Sequence, residues 1–268
     1  MERSMLEKHI RETFEKTCGN GYKNMPYFDA PIFGIGSASD PLFDDYKDPS
    51  AIGPWFMKPD DWLPEAKTVI AIFFPLSKDI RDSNRGKRIV ASVPWAHARI
   101  EGQKYISDFT HRLMALLNDE GFKCVYPQYD PRFEAVRAGK GITGYEGIDK
   151  NTFGSRWSER HAAYVCGLGT FSLSKGLITE KGIAGRFSTI ITDAYIKPDE
   201  RSYTGIYDYC INCGQCIKKC PSKAIDIIHG KDHNLCFGRM KISGVIRYPR
   251  YGCGLCQVDV PCETKIPF

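Results

Sequence analysis

The stretch CINCGQCIKKCP, residues 210–221, decides how the rest of the chain is read. It holds four cysteines in one short run, ends on a proline, and carries Lys218 and Lys219, with Lys223 just beyond. The chain has 11 cysteines, an odd count, and most of them fall after residue 209. In a chain that is not a small secreted scaffold, such clustering points to metal ligation rather than to disulfides. Cys18, Cys124 and Cys166 stand apart and read as small buried hydrophobes.

The spacing is the C-x2-C-x2-C-x3-C-P run of bacterial-type ferredoxins: Cys210, Cys213, Cys216 and Cys220, then Pro221. Three thiolates at this spacing let one tight loop hold three corners of an iron–sulfur cubane. The fourth cysteine lies too far round to reach the same cube and serves a second one. Proline is tolerated next because the chain turns there and needs no amide donor. A second set follows in stretched form as Cys236, Cys253, Cys256 and Cys262. Crossing over of the fourth ligands joins Cys262 to Cys210, Cys213 and Cys216, and Cys220 to Cys236, Cys253 and Cys256. The last interval, C-x5-C with Val260-Pro261 inside it, departs from the simple pattern and leaves open which cluster Cys262 serves. Zinc is the competing reading, but it favours paired C-x2-C knuckles around one tetrahedron. The expectation is two 4Fe-4S clusters.

Upstream the chain has a different character. Its 268 residues, 42% hydrophobic, suffice for one large domain and one small one. A net charge of +5 tolerates an anionic partner such as RNA without requiring one. Ser4 and Glu7 form a capping-box pattern that predicts a helix over 4–17. The run TVIAIFF (68–74) predicts a buried strand, and the apolar spacing of Ile106, Phe109, Leu113 and Leu117 a helix over 96–118. CVYP (124–127) reads as a strand, 128–154 as a loop, and Ser155 or Ser158 as the cap of a helix running to Cys166. RFSTIITDAYI (186–196) is a second clear strand, and KPDERS (197–202) a linker. No apolar run can span a bilayer, and the N-terminus lacks the pattern of an export signal, so no membrane partner is expected and the location reads as cytoplasmic.

Some motifs lead nowhere. GKGITG (139–144) matches G-x-G-x-x-G but neither follows a strand nor opens a helix, so it is no dinucleotide fingerprint. His161, in SERHAAY, reads equally as a ligand contact and as part of a helix's first turn.

Four segments together carry a resemblance: SRWSERHAAYVCGLGTFSLSKGLIT (155–179), GRFSTIITD (185–193), CINCGQCIKKCPSKAI and YGCGLCQVDVPCE (251–263). In this order they resemble the superfamily shared by epoxyqueuosine reductases and corrinoid reductive dehalogenases. The resemblance implies an α+β fold: a nitroreductase-like, cobalamin-binding α/β domain over 1–200, then a small dicluster ferredoxin domain over 201–268. It implies an oxidoreductase in which electrons pass through two 4Fe-4S clusters to a base-off cobalamin, for reductive cleavage of a C–O or carbon–halogen bond. The family's cofactor-contacting segments fall here on Ser158, Glu159, Arg160, His161 and Ala162, on Gly167, Leu168, Gly169, Thr170 and Phe171, and on Arg186, Phe187 and Ser188. The proton donor implied is Asp149 or Tyr145. A ferredoxin or flavodoxin would donate electrons, and the substrate would be a small molecule or a modified nucleoside, with tRNA among the candidates. Two other readings keep the cysteines: an electron-transfer protein that reduces a separate corrinoid protein, and a reductase using FMN on the same fold.

Overall fold

The computed structural model describes residues 1–86, 89–136, 141–146, 148 and 152–268. Asp149 therefore lies outside the described residues, as do the first two residues of GKGITG. Helix α1 (Arg3–Lys16) opens the chain, followed by β1 (Ile32–Ser37) and the short turns of helix α2 (Leu42–Asp45) and α3 (Pro59–Trp62). Then come β2 (Thr68–Pro75), α4 (Lys78–Ser83) and the long α5 (Val93–Asp119). Short strands β3 (Cys124–Val125), β4 (Ala135–Val136) and β5 (Gly154–Ser155) lead to α6 (Glu159–Val165). A hairpin of β6 (Gly169–Phe171) and β7 (Leu177–Thr179) precedes β8 (Gly185–Thr192).

Two helix starts differ from the sequence expectation. Helix α1 begins at Arg3 with Glu2 as its cap and no side-chain capping bond, so Ser4 sits inside the first turn. Burial of Leu6 and Ile10 sets the phase of this helix. Helix α5 begins three residues early, because the Ser92 hydroxyl accepts from the Trp95 N–H at 3.2 Å and Pro94 occupies the first turn. The expected loop over 128–154 carries two short strands at its ends, β4 and β5, paired with each other.

Among the described residues the central sheet has the order β1-β2-β8-β3, with every neighbour antiparallel. Strand β2 is buried along its whole length because both of its faces are covered. Its alternation divides the core in two. Ile70, Ile72 and Phe74 pack with α1 and α5, through Leu6, Ile10, Phe109 and Leu113. Val69, Ala71 and Phe73 pack on the other side with Ala162, Ala163 and Val165 of α6 and with a group of aromatic rings.

That second layer positions α6. Trp157 stacks on Phe43 and Phe56, with ring centroids 5.8 and 5.7 Å apart, and its Nε1–H donates to Thr189 Oγ1 on β8 at 2.8 Å. At its other end α6 presses against β1 at Gly34, where a Cβ would come within 2.1 Å of the Cys166 carbonyl oxygen. Only a residue without a side chain lets the helix lie so close.

After β8 the chain runs through Tyr203 to the cysteine-rich part, which holds α7 (Gln215–Lys219), the short strands β9 (Ile225–Asp226) and β10 (Gly230–Lys231), and α8 (His233–Ile246). Asp232 caps α8, accepting from the N–H groups of Asn234 and Leu235 at 2.8 and 2.9 Å. This part packs against the rest of the chain. Val260, Cys210 and Cys262 share a small apolar cluster with Ile178 and Ile183 of the sheet-bearing part. Cys166 is buried and Cys124 half-buried, whereas Cys18, expected inside, is exposed just beyond the end of α1. No helix among the described residues is long and apolar enough to cross a membrane.

Candidate functional site

The eight clustered cysteines separate into two quartets. Cys210, Cys213, Cys216 and Cys262 line one cavity, closed on one side by Ile178 and Val260. Burial first, then the neighbouring Cys213, Cys216 and Cys210, push the Cys262 thiol up to about 12. On the other side of the cysteine-rich part, burial and the nearby Cys253, Cys236 and Cys220 push Cys256 up to about 12, with Lys231 opposing. Cys253 is raised by burial and again by Cys236 and Cys220. The chain's return therefore brings Cys262 near the first run and Cys220 near the second set, a placement that the last cysteine interval left open. The thiols of the first quartet line a shared space together with Ser172, Ser174 and Pro261.

The second quartet lies within electrostatic reach of a largely buried arginine group in the sheet-bearing part. Arg160, on the first turn of α6, is held below its usual range by burial and by Arg99, while Cys256 and Cys236 act in the opposite direction. Arg186, on β8, is pushed down to about 9 by burial and by Arg99, with Tyr126 and Tyr251 opposing. Its guanidinium donates to Gln103 Oε1, from Nε at 3.0 Å and also from Nη2. Arg99 lies over the Tyr251 ring, 5.1 Å from the centroid. Three arginines from α5, α6 and β8 thus meet beside Tyr251, two residues before Cys253.

Among the buried polar atoms of the described residues without a close hydrogen-bond partner are both carboxylate oxygens of Glu159, Nε2 of Gln103 and the hydroxyl of Tyr126. The hydroxyl of Thr189 lies near Glu159, and those of Ser188 and Thr110 near Tyr126. Burial pushes Glu159 up to about 8, partly opposed by the Thr189 hydroxyl. Tyr126 is raised by burial and by the charge of Glu159.

The other expected site residues are placed differently. His161 is packed between the rings of Tyr46 and Phe171, at 4.8 Å from each, with Nδ1 2.7 Å from Ser158 Oγ. Burial, followed by Arg160, pushes it down to about 3 and keeps it neutral. Ala162, Leu168, Gly169, Thr170 and Phe171 are buried, and Gly167 is half-buried at the end of α6. The polar groups of the GTF segment are taken up by the chain leading to Cys210. Gly169 N–H donates to Tyr203 Oη at 3.3 Å, Phe171 N–H to the Ile206 carbonyl at 2.7 Å, and Tyr209 N–H to Thr170 Oγ1 at 2.8 Å. The Ser188 hydroxyl pairs with Thr110 Oγ1 at 2.7 Å, and Phe187 packs on Phe73. Tyr145 is 38% exposed and donates to the Pro54 carbonyl at 2.8 Å, which spends its hydroxyl at the surface. Sequence reasoning missed Arg99, Gln103, Tyr126 and Tyr251. Arg99 and Gln103 are four residues apart on one helix face, the single hint available in one dimension.

Comparison with known proteins follows the same division. Residues 203–226 match the 4Fe-4S binding domain family. No curated protein matches the chain by sequence. The structure is similar to that of epoxyqueuosine reductase from Streptococcus thermophilus, with a TM-score of 0.57 and 16% identity, covering 99% of this chain and 68% of that one. An epoxyqueuosine reductase with an epoxyqueuosine-modified tRNA-Tyr stem loop gives a TM-score of 0.53 at 16% identity, covering 98% and 67%. A catabolic reductive dehalogenase gives 0.57 at 12% identity, covering 98% of this chain and 37% of its own. The chain has the fold of these reductases. The cysteine-rich part carries the 4Fe-4S match and packs on Ile178 and Ile183 of the sheet-bearing part.

Proposed function

We propose that the protein is an iron–sulfur oxidoreductase that binds cobalamin in a cleft beside its second cysteine quartet and reduces a C–O or carbon–halogen bond. Residues 1–200 form the nitroreductase-like part that binds cofactor and substrate, and 201–268 the part that stores electrons. The observation that supports this reading is the position of Arg160, which is largely buried and within electrostatic reach of both Arg99 and the thiols of Cys236 and Cys256. Electrons held at the second quartet are thus next to the cleft and need no other carrier.

The residues present fit a corrin. Its rim of amide side chains offers donors and acceptors together, and the cleft offers unpartnered groups of both kinds in Gln103, Tyr126 and Glu159. Ser158, Glu159 and Arg160 of α6 and Arg186 and Phe187 of β8 would hold it at the cleft wall. His161, Ala162, Gly167, Leu168, Gly169, Thr170, Phe171 and Ser188 would support that wall from behind. When bound, cobalamin supplies a reducible metal centre able to cleave such bonds. Cys210, Cys213, Cys216 and Cys262 would hold one 4Fe-4S cluster, and Cys220, Cys236, Cys253 and Cys256 the other. Arg99, Arg160 and Arg186 keep the cleft cationic, which suits an anionic substrate or leaving group. A ferredoxin or flavodoxin would bring electrons in the cytoplasm. A modified nucleoside in tRNA is a substrate class supported by the stem loop bound to a protein of this fold.

The test is anaerobic reconstitution with iron, sulfide and cobalamin, followed by visible and electron paramagnetic resonance spectra. Two clusters and stoichiometric cobalamin are expected. Cys262→Ser should remove one cluster and Cys220→Ser the other. Uptake of FMN in place of cobalamin, or a colourless zinc-loaded protein, would refute the reading.

A further inference from the structure

Of the eight clustered cysteines Cys213 alone is exposed, and the other seven are half-buried. It belongs to the first quartet, whose space is lined also by Leu173, Ile211 and Pro261. The surface beside it is apolar. Ile211 is 44% exposed, and Ile206 and Tyr207 are 43% and 38% exposed just upstream. Tyr207 is tied to the quartet through its carbonyl, which accepts the Cys210 N–H at 2.8 Å. Single exposed apolar residues are ordinary, but three beside an exposed thiol make a patch.

The rim of this patch is cationic, and three separate segments make it so. Lys218 is exposed on α7, two residues after Cys216. Lys265 is exposed two residues before Pro267, which lines the space of the first quartet. Lys175 follows Ser174 of the same lining, and its Nζ donates to the Tyr207 hydroxyl at 2.5 Å. The acids nearby are engaged. Asp259 holds Lys219 Nζ at 2.6 Å, Glu263 takes Arg81 and Arg85, and Asp208 accepts the N–H groups of Thr204 and Gly205 at 3.0 and 2.8 Å. The second quartet has no such approach on the side of Cys253. Its carbonyl accepts from Asn84 Nδ2 at 2.9 Å, and Gly254 packs on Trp95 of α5.

We propose that the face around Cys213 docks a small acidic one-electron carrier protein, with Tyr207 and Ile211 at the centre of the contact and Lys175, Lys218 and Lys265 on its rim. This inference rests on the reductase reading and deepens it. In each encounter one electron passes from the carrier, which is oxidised, to the metal centre held by Cys210, Cys213, Cys216 and Cys262, which is reduced. No proton or other atom moves. An apolar centre with a polar rim is the anatomy of a protein interface, and opposite charge speeds the encounter. A nucleic acid would use the lysines but gain no stacking from Ile206 and Ile211. A second copy of this chain would bring lysines against lysines.

The test uses the full chain reconstituted with iron and sulfide and measures binding of an oxidised, acidic plant-type ferredoxin by surface plasmon resonance, with no turnover. Binding should weaken roughly tenfold between about 50 and about 200 mM salt. Lys218→Glu and Lys265→Glu should each weaken it roughly fivefold, through slower association and with iron content unchanged. If Lys218→Glu loses iron, Lys265→Glu carries the comparison alone. Lys104→Glu, on α5, should bind as wild type. The proposal is overturned if the ferredoxin does not bind, if Lys265→Glu binds as wild type, or if Lys104→Glu weakens binding as much. It is overturned as well by a tRNA stem loop that binds more tightly than the ferredoxin and is lost in the same variants, or by a dimer that those variants break. Ferredoxin binding that the variants weaken, in a protein that takes up iron but no cobalamin, would sink the cobalamin reading and leave the docking face standing.

Discussion

Arg81 and Glu263 meet across the two parts of the chain, with Arg81 Nε 3.2 Å from Glu263 Oε1. Arg85 donates to the same oxygen from Nη2 at 2.7 Å, and the other oxygen accepts the Asp259 N–H at 2.8 Å. Glu263 is 6% exposed and directly follows Cys262. Backbone bonds complete the clamp, as Ile183 N–H donates to the Cys262 carbonyl at 2.8 Å. The position of the last cysteine is therefore set in large part by α4, by Arg85 just beyond it and by Ile183 in the turn before β8.

Glu263→Ala removes the acceptor for two guanidiniums, one of them largely buried. Loss of one partner of a buried pair costs about 3 kcal/mol, so the denaturation midpoint should fall accordingly. Iron content should drop toward that of a single cluster, because Cys262 loses its anchor. Chemical denaturation and iron analysis on the same preparation check both.

Gly254, between Cys253 and Cys256, has φ +67° and packs against Trp95 of α5. A Cβ there would stand 1.9 Å from the indole ring. Trp95 is buried and cannot move aside, so Gly254→Ala should cost about 2 kcal/mol and displace the second set of thiols. The electron paramagnetic resonance signal of one cluster should weaken while the other persists.

Arg160 places a positive charge near Cys236 and Cys256. A cation beside a cluster favours its reduced form. Arg160→Gln should therefore lower the potential of the second cluster by tens of millivolts and leave the first unchanged. A redox titration that resolves the two signals decides this.

His161 has an ordinary value of 6.5 and is pushed down to about 3 in the folded protein. The unfolded chain takes up a proton that the folded one refuses, so stability from this group is full above 6.5 and falls as pH drops toward 3. Between neutral pH and about pH 5 the loss is up to about 2 kcal/mol. His161→Gln keeps a polar partner for Ser158 without the titration, so its denaturation midpoint should vary less over that range. Equal pH dependence in the two proteins would remove His161 as the source.

What one dimension reveals here is local chemistry. Three thiols at x2 spacing need one short loop, so Cys210, Cys213 and Cys216 are legible as a cluster site from their spacing alone. The buried strand at 68–74 and the helix face of Ile106, Phe109 and Leu113 are legible because backbone periodicity is local as well. The start of α1 was not, since tertiary burial of Leu6 and Ile10 outweighs a capping pattern worth about 1 kcal/mol. Nor was the role of Cys262, which depends on Arg81, Arg85 and Ile183, residues far from it along the chain. Arg99, Tyr126 and Tyr251 were hidden for the same reason, since each lies far along the chain from the others and alone looks like an ordinary surface or core residue, whereas Arg160 and Arg186 were named through the resemblance. The sequence by itself determined which groups can hold iron and where helices and strands run. The tertiary structure decided which thiols share a space and which acids lose their water, because desolvation and charge act through distance in space, and the sheet sets that distance.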